Sequence, residues 1–428
     1  MRKNYLKVLF FLGIGLFITI DVFAQPKSVD KLIIGHPACI SGVFARSGEQ
    51  EMGGIKACVE WVNKVYGGVK IAGKKVPIEY KYYDCESKKE SAASLIERLI
   101  TVDKVNFIFA PYSSGLTLAG APVAEKYGMV YMDNGGASDR IFQQGLRYIV
   151  QSIGPATRYD VGILDMIHKL DSKAKVALAY KDSEFSRMLM QGAEKRAIEL
   201  GYKIVFKRTY PEVVTDLTPL LSDLKATKPD IVIGGGHYED GMLFLRQMAD
   251  MDIDVKALSL AASAYYPTYY KAVGGNLAEG VMAASHWEHG VTYTPEMAKK
   301  VGLEWIGPSQ DEFVNLFKKL AVMKDLEPSD LAAVPVASVL ALVKAIETAN
   351  SLDSDKIRAV LGKLKFMSFY GVWQVDETGL QTGHSMVIVQ WQGGKRVMAW
   401  PLEAQTGKLS YPMPTFAQKA KGILAVPK

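Results

Sequence analysis

Along this chain, short apolar runs alternate with stretches in which apolar residues recur every three or four positions, the pattern of strands followed by amphipathic helices. Residues 31–35 read as a strand, 53–64 as a helix, 78–83 as a strand and 91–102 as a helix. The series continues with strands at 107–110, 129–132 and 148–153, with a helix ending near Tyr127 between the first two. A second series follows, with strands at 176–180, 203–206, 230–233 and 255–258, each followed by a helix or a turn. Alternation of this kind predicts parallel sheets with helices on their faces. The expected fold class is α/β, with two doubly wound lobes. Beyond Gly280 the pattern returns to helices, notably 311–322 and 335–349, expected to complete the first lobe. After Met367 it turns strand-like again, at 372–375 and 386–391, around the turn Asp376-Glu377-Thr378-Gly379.

The first 24 residues stand outside this pattern. Arg2, Lys3 and Lys7 precede an apolar run from Val8 to Ile20, and Val22-Phe23-Ala24 offers small residues for cleavage before Gln25. Those three regions describe a secretory leader, and the apolar run is too short for a spanning helix. The expectation is a chain exported to the periplasm. The first cysteine, Cys39, lies well past the cleavage point, so no lipid-bearing cysteine follows it. What remains is too long for one ordinary core and natural for two.

The formal net charge of +6 is modest for 428 residues, and the lysines are dispersed among acidic neighbours. A nucleic-acid binder would gather them on one face. The expectation is no nucleic acid partner and no cofactor. Of three cysteines, Cys58 falls in an apolar helical stripe with Ile55 and Val59, while Cys39 and Cys85 each follow a predicted strand. If one pair bridges after export, it is expected to be Cys39 with Cys85.

Ligands of open α/β sheets sit at the carboxyl ends of strands, where loop amides and helix N-termini point outward. The loops after predicted strands are therefore the informative ones. They are Ser41 to Gly48 followed by Glu49 to Gly54, Pro111 to Gly115, and Asp133 to Ser138. Ser113 and Ser114 offer hydroxyls and helix-end amides to an anion such as a carboxylate; equally, one of them could simply cap its helix. Gly234-Gly235-Gly236-His237 mimics a dinucleotide fingerprint but has no glycine at the third required position. His286, Glu288 and His289 are close in sequence, yet on a strand the two histidines point to opposite faces, so no metal is expected. No nucleophile elbow or paired-histidine zinc motif appears, and the chain is not expected to be an enzyme.

These loops give the chain a family likeness. Ile40 to Gln50 with Gly54, Tyr83-Asp84-Cys85, Tyr112-Ser113-Ser114, Pro229 to Gly235 and Leu245-Arg246-Gln247 are similar to the periplasmic substrate-binding proteins of branched-chain amino-acid-type ABC transporters. The resemblance to this leucine/isoleucine/valine-binding family covers essentially everything after the leader. It implies a type I periplasmic binding fold joined by a three-strand hinge near 151–155, 283–286 and 367–371. Lobe one would then comprise 25–152 plus 285–367, and lobe two 153–284 plus 368–428. A small-molecule ligand, an amino acid or a related organic acid or amide, would close the lobes, and the monomeric closed form would dock on an inner-membrane ABC permease. A ligand-sensing clamp for a signalling receptor, or an exported hydrolase, are the rival readings.

Carried over by position, Tyr112, Ser113 and Ser114 would hold a ligand carboxylate, with Gly135 and Ala137 beside them. Phe44 and Ser47 would shape one wall, and Phe185 and His237 the other. The resemblance also implies a threonine and a glutamate for a ligand ammonium, and at those places the chain has Ala137 and Ala261. Burying an ammonium with no counter-charge costs several kcal/mol. Either Ser138 with Asp133 or Glu239 substitutes, or the ligand lacks an α-amino group.

Overall fold

The computed structural model describes residues 30–291, 293–321, 326–402 and 405–425; the expected leader, 1–24, lies outside them. The strands run in chain order as β1 Leu32–Ala38, β2 Val69–Ile71, β3 Lys74–Val76, β4 Ile78–Asp84, β5 Phe107–Phe109, β6 Tyr131–Asp133, β7 Ile149–Gln151 and β8 Lys175–Lys181. They continue as β9 Lys203–Tyr210, β10 Ile231–Gly235, β11 Ala257–Ala261, β12 Val281–Ser285, β13 Lys365–Ser368, β14 Gly371–Gln374, β15 Val387–Gln392 and β16 Lys395–Trp400. A five-stranded parallel sheet has the order β4-β1-β5-β6-β7, and a seven-stranded sheet the order β16-β15-β12-β11-β10-β8-β9. In the second sheet β8 to β12 are parallel, and β15 and β16 add an antiparallel edge. The strands read as continuous apolar runs because helices cover both faces of the parallel part.

Helices from late in the chain pack on the first sheet. The Asp330–Ala349 helix lies against the Ala45–Trp61 helix so closely that a Cβ on Gly54 would stand 2.0 Å from the Ala332 carbonyl oxygen. By length and composition the Asp330–Ala349 helix could cross a membrane, but it is buried in the core, which is what an all-round apolar helix does in a globular protein.

The expected helix at 53–64 actually begins at Ala45, and the one expected at 335–349 begins at Asp330. Glycines explain the first difference. Gly48, Gly53 and Gly54 look like loop residues in sequence, yet each sits where a side chain would strike Cys39, Phe317 or Ala332. Pro335 explains the second, because proline reads as a helix start although this helix carries it internally.

The segment after Met367 first packs beside the first sheet. Trp373 Nε1 and the Tyr370 hydroxyl donate to the Ser152 hydroxyl and carbonyl, and Gln151 N donates to the Gly379 carbonyl. β13, β14 and the turn after them therefore sit beside β7, and the second sheet takes over only at β15. The tail after Trp400 crosses back over that sheet's helices, where Phe416 N donates to Asp254 and Ala425 N to Glu279.

Candidate functional site

The carboxyl ends of the parallel strands in both sheets face a common cleft. From the first sheet, the loop after β5 brings Tyr112, Ser113 and Ser114, and the loop after β6 brings Gly135 and Ala137. From the second, Phe185 follows β8, His237 follows β10, and Ala262 and Tyr265 follow β11. Ile153, Tyr159, Asp330 and Leu331 complete the lining of a narrow cavity between the two sheets.

Each of these positions has a local cause. Asp133, at the end of β6, accepts from the backbone N–H groups of Gly135 (3.2 Å) and Gly136 (2.7 Å), folding the loop back over its own carboxylate. Burial raises the Asp133 pKa well above the ordinary carboxylate value. Gly135 must be glycine, since a Cβ there would stand 2.8 Å from the Tyr112 backbone. Glu51, buried in the Ala45–Trp61 helix, joins the two loops by accepting from Tyr112 N (3.2 Å) and from the Asn134 side chain, with His36 Nε2 at 3.2 Å. Ser113 and Ser114 stand at the start of the Ser114–Lys126 helix, whose first amides have no partner within it. The Ser113 side chain makes no capping bond, so the reading as a simple cap does not apply to it.

Contacts bridge the two sides of the cleft. The Tyr112 hydroxyl and His237 Nδ1 are 2.9 Å apart, and the Ser47 and Tyr266 hydroxyls 2.8 Å. Ser138 Oγ and Arg140 Nη1 each donate to Glu184 at 2.9 Å. The ring of Phe44 meets those of Tyr112 and His237 edge-on, and Phe185 stacks on His237 at 5.7 Å. Burial, reinforced by Lys181, pushes the His237 pKa down to about 4. The imidazole is therefore neutral at pH 7.

Of the residues named from sequence, Tyr112, Ser113, Ser114, Gly135, Ala137, Phe185 and His237 line the cavity. Phe44 and Ser47 do not line it; they line a neighbouring pocket that shares His237 with it. Two further placements differ. Ser138 does not line the cavity but ties the cleft shut through Glu184, while its N–H donates to Ser114 Oγ at 3.1 Å. Ala261 is the fully buried last residue of β11, and its neighbour Ala262, with φ of 52°, faces the cavity instead. The left-handed turn at Ala262, just past the strand end, brings that residue to the cavity. Neither Asp133 nor Glu239, the acids considered as substitutes, lines it.

Asp330 does, and sequence reasoning missed it. It is 2% exposed; its Oδ2 accepts from His286 N (3.2 Å) and Nδ1 (3.0 Å), while Oδ1 has no partner. The Ser329-Asp330 pair ahead of an apolar run was the available signal, an N-cap and first-turn acid. His286 is thereby committed to Asp330, Glu288 pairs with Arg396 at 2.8 Å, and His289 lies beside Trp287, so the three do not converge. Cys39 and Cys85 are brought together, with sulfurs 3.4 Å apart, as free buried thiols; Cys39 donates to the Tyr112 carbonyl at 2.8 Å.

Two α/β sheets whose strand ends close on one cleft define a type I periplasmic binding fold. Residues 31–395 match the family model described as periplasmic binding protein, and the chain belongs to that family. Leu/Ile/Val-binding protein homolog 7 of Brucella abortus is 27% identical over 406 residues, covering 91% of this chain and 96% of that protein. The substrate-binding protein LivJ of Streptococcus pneumoniae, solved with isoleucine, superposes with a TM-score of 0.70 at 22% identity, covering 86% of this chain and 98% of that one. A solute-binding protein of Rhodopseudomonas palustris, solved with p-hydroxybenzoic acid, gives 0.73 at 21% identity, covering 90% and 98%. The family is one of binding proteins that work outside the cytoplasm.

Proposed function

We propose that this protein is the periplasmic solute-binding component of an ABC importer, exported by its cleaved leader, and that it closes on a small carboxylate-bearing ligand and presents it to a membrane permease. The observation that carries this is the enclosed cleft. A helix N-terminus with Ser113 and Ser114 faces it from one sheet, and Phe185 and His237 close it from the other. The helix end supplies unpaired N–H groups and a partial positive charge suited to a carboxylate. The aromatic wall suits an apolar or ring-bearing remainder. Similar proteins holding isoleucine and p-hydroxybenzoic acid support both parts.

The described residues divide into two lobes, one from within 30–152 and 285–386 and the other from within 153–284 and 387–425, with crossings at β7 to Pro155, at β12 to His286, and ahead of β15. The reading is supported by the bonds from β14 and the turn before it to Ser152 and by β15 pairing with β12. The protein acts as a monomer and binds without turnover; no base stands against Ser114, whose oxygen accepts from Ser138 N.

Thermal unfolding of the purified, ligand-stripped protein against amino acids, aromatic and aliphatic acids, and amides tests this. A ligand present at a thousand times its Kd should stabilise by about 4 kcal/mol, a rise in Tm of several degrees. Ser114→Ala should lower affinity for that ligand by about tenfold, the worth of one hydrogen bond to a charged group. Equal binding by the ester or primary amide of the same compound would refute a carboxylate-reading helix end.

A further inference from the structure

The cavity is electrically asymmetric. Among the described residues no lysine or arginine lines it, and Asp330 is the one acidic residue that does. His237 is a neutral ring and cannot pair with that carboxylate. Ser113, Ser114 and the start of their 13-residue helix bring N–H groups and hydroxyls to its wall. Asp330 brings a carboxylate with one oxygen fixed by His286 and the other bare.

A buried carboxylate oxygen without a donor is a costly arrangement, because water's hydrogen bonds are lost and nothing replaces them. Of the other buried carboxylates near the cleft, Glu51 and Glu184 are engaged by the protein, while Asp133 also keeps one oxygen without a partner. Glu51 takes Tyr112 N and Asn134, and Glu184 takes Ser138 and Arg140. Asp133 turns one oxygen to its own loop and lies outside the cavity wall. Asp330 alone among these both lines the cavity and keeps an oxygen without a partner.

Resting on the carboxylate-binding reading above, we propose that Asp330 is the specificity-determining residue of the cleft, its free oxygen accepting from a protonated nitrogen carried by the same ligand. The counter-charge thus comes from the first turn of the Asp330–Ala349 helix, not from the loop after β11, where Ala261 and Ala262 stand. His286 is a positioning residue. It immediately follows β12, so the carboxylate is oriented from a chain crossing between the lobes. The ligand class is a small zwitterion, with its carboxylate on the Ser113–Ser114 turn and its cationic nitrogen on Asp330.

Matched pairs sharing one carbon skeleton test this by calorimetry on the intact mature protein: leucine with 4-methylpentanoate, phenylalanine with 3-phenylpropanoate, and proline with cyclopentanecarboxylate. The amine-bearing member of a binding pair should be preferred by about a hundredfold or more, since the acid alone leaves Asp330 buried and unpaired. Asp330→Asn should erase most of that preference while leaving the acid's affinity unchanged or improved. His286→Gln should reduce the preference less, and the amide's retained hydrogen bond to Asp330 distinguishes orientation from a simple loss of fold. Wild-type protein that takes the amine-free acids as readily as the amines overturns the role of Asp330 and leaves the importer reading standing. Wild-type protein that binds neither member of any pair overturns both.

Discussion

His237 makes the cleft sensitive to acid in a direction that can be worked out. Its ring is held between Tyr112 and Phe185, and burial keeps its pKa at about 4. When the cleft opens and the ring meets water, the value returns toward about 6.5. The open form therefore binds the proton better, and acidification between about 6.5 and 4 favours opening; above 6.5 the ring is neutral in both forms and the effect is absent. Ligand affinity should fall by on the order of tenfold between pH 7 and pH 5, and His237→Gln should flatten that dependence. Calorimetric titrations at the two pH values, with parallel slopes for wild type and variant, would remove His237 from this role. Ser113 and Ser114 are legible because they follow a strand that its own apolar run announces, whereas Tyr112 and His237 come from the family resemblance. Sequence alone could not reach Asp330, whose partner His286 is 44 residues away and whose place in the cleft is set by helix packing. It also missed by one residue at Ala261, because where β11 ends and its loop begins is settled by backbone geometry at Ala262 and not by side-chain pattern.

At the scale of elements, the contact between the Ala45–Trp61 and Asp330–Ala349 helices governs the first lobe and aims Asp330 into the cleft. Its closeness depends on Gly54, where an added methyl would meet the Ala332 carbonyl and the ring of Pro335. Gly54→Ala gains helix propensity worth about 1 kcal/mol, but overpacking of a backbone contact costs about 1–3 kcal/mol and local adjustment cannot remove a 2.0 Å clash. The net effect should be a loss of up to about 2 kcal/mol in urea unfolding, together with weaker ligand binding as Asp330 is displaced. An unchanged midpoint would mean that the two helices can slide apart freely. The strands were legible because each is a short apolar run bounded by polar turns. The helix starts were not, for the same reason that makes this contact important: a glycine needed for close packing and a glycine needed for a turn look alike in sequence.

For the whole molecule, closure rests on few polar contacts, and Glu184 gathers two of them. It accepts from Ser138 on one loop and Arg140 beside it, both from the first lobe, while itself belonging to the helix after β8 in the second. Arg140 is half exposed, so its share is screened by solvent, whereas the Ser138 bond is largely shielded. None of these groups lines the cavity. Glu184→Gln should therefore leave the selectivity among ligands unchanged while loosening the closed state by about 1 kcal/mol, a fivefold loss of affinity. The loss should appear as faster dissociation, because a latch formed after the ligand has entered does not alter the encounter. Stopped-flow kinetics with whichever ligand the unfolding panel identifies separates the two rates. A variant that lost affinity through a slower on-rate would place Glu184 in ligand entry, whereas a change in the order of ligand preference would place it in recognition; either result would contradict a latch.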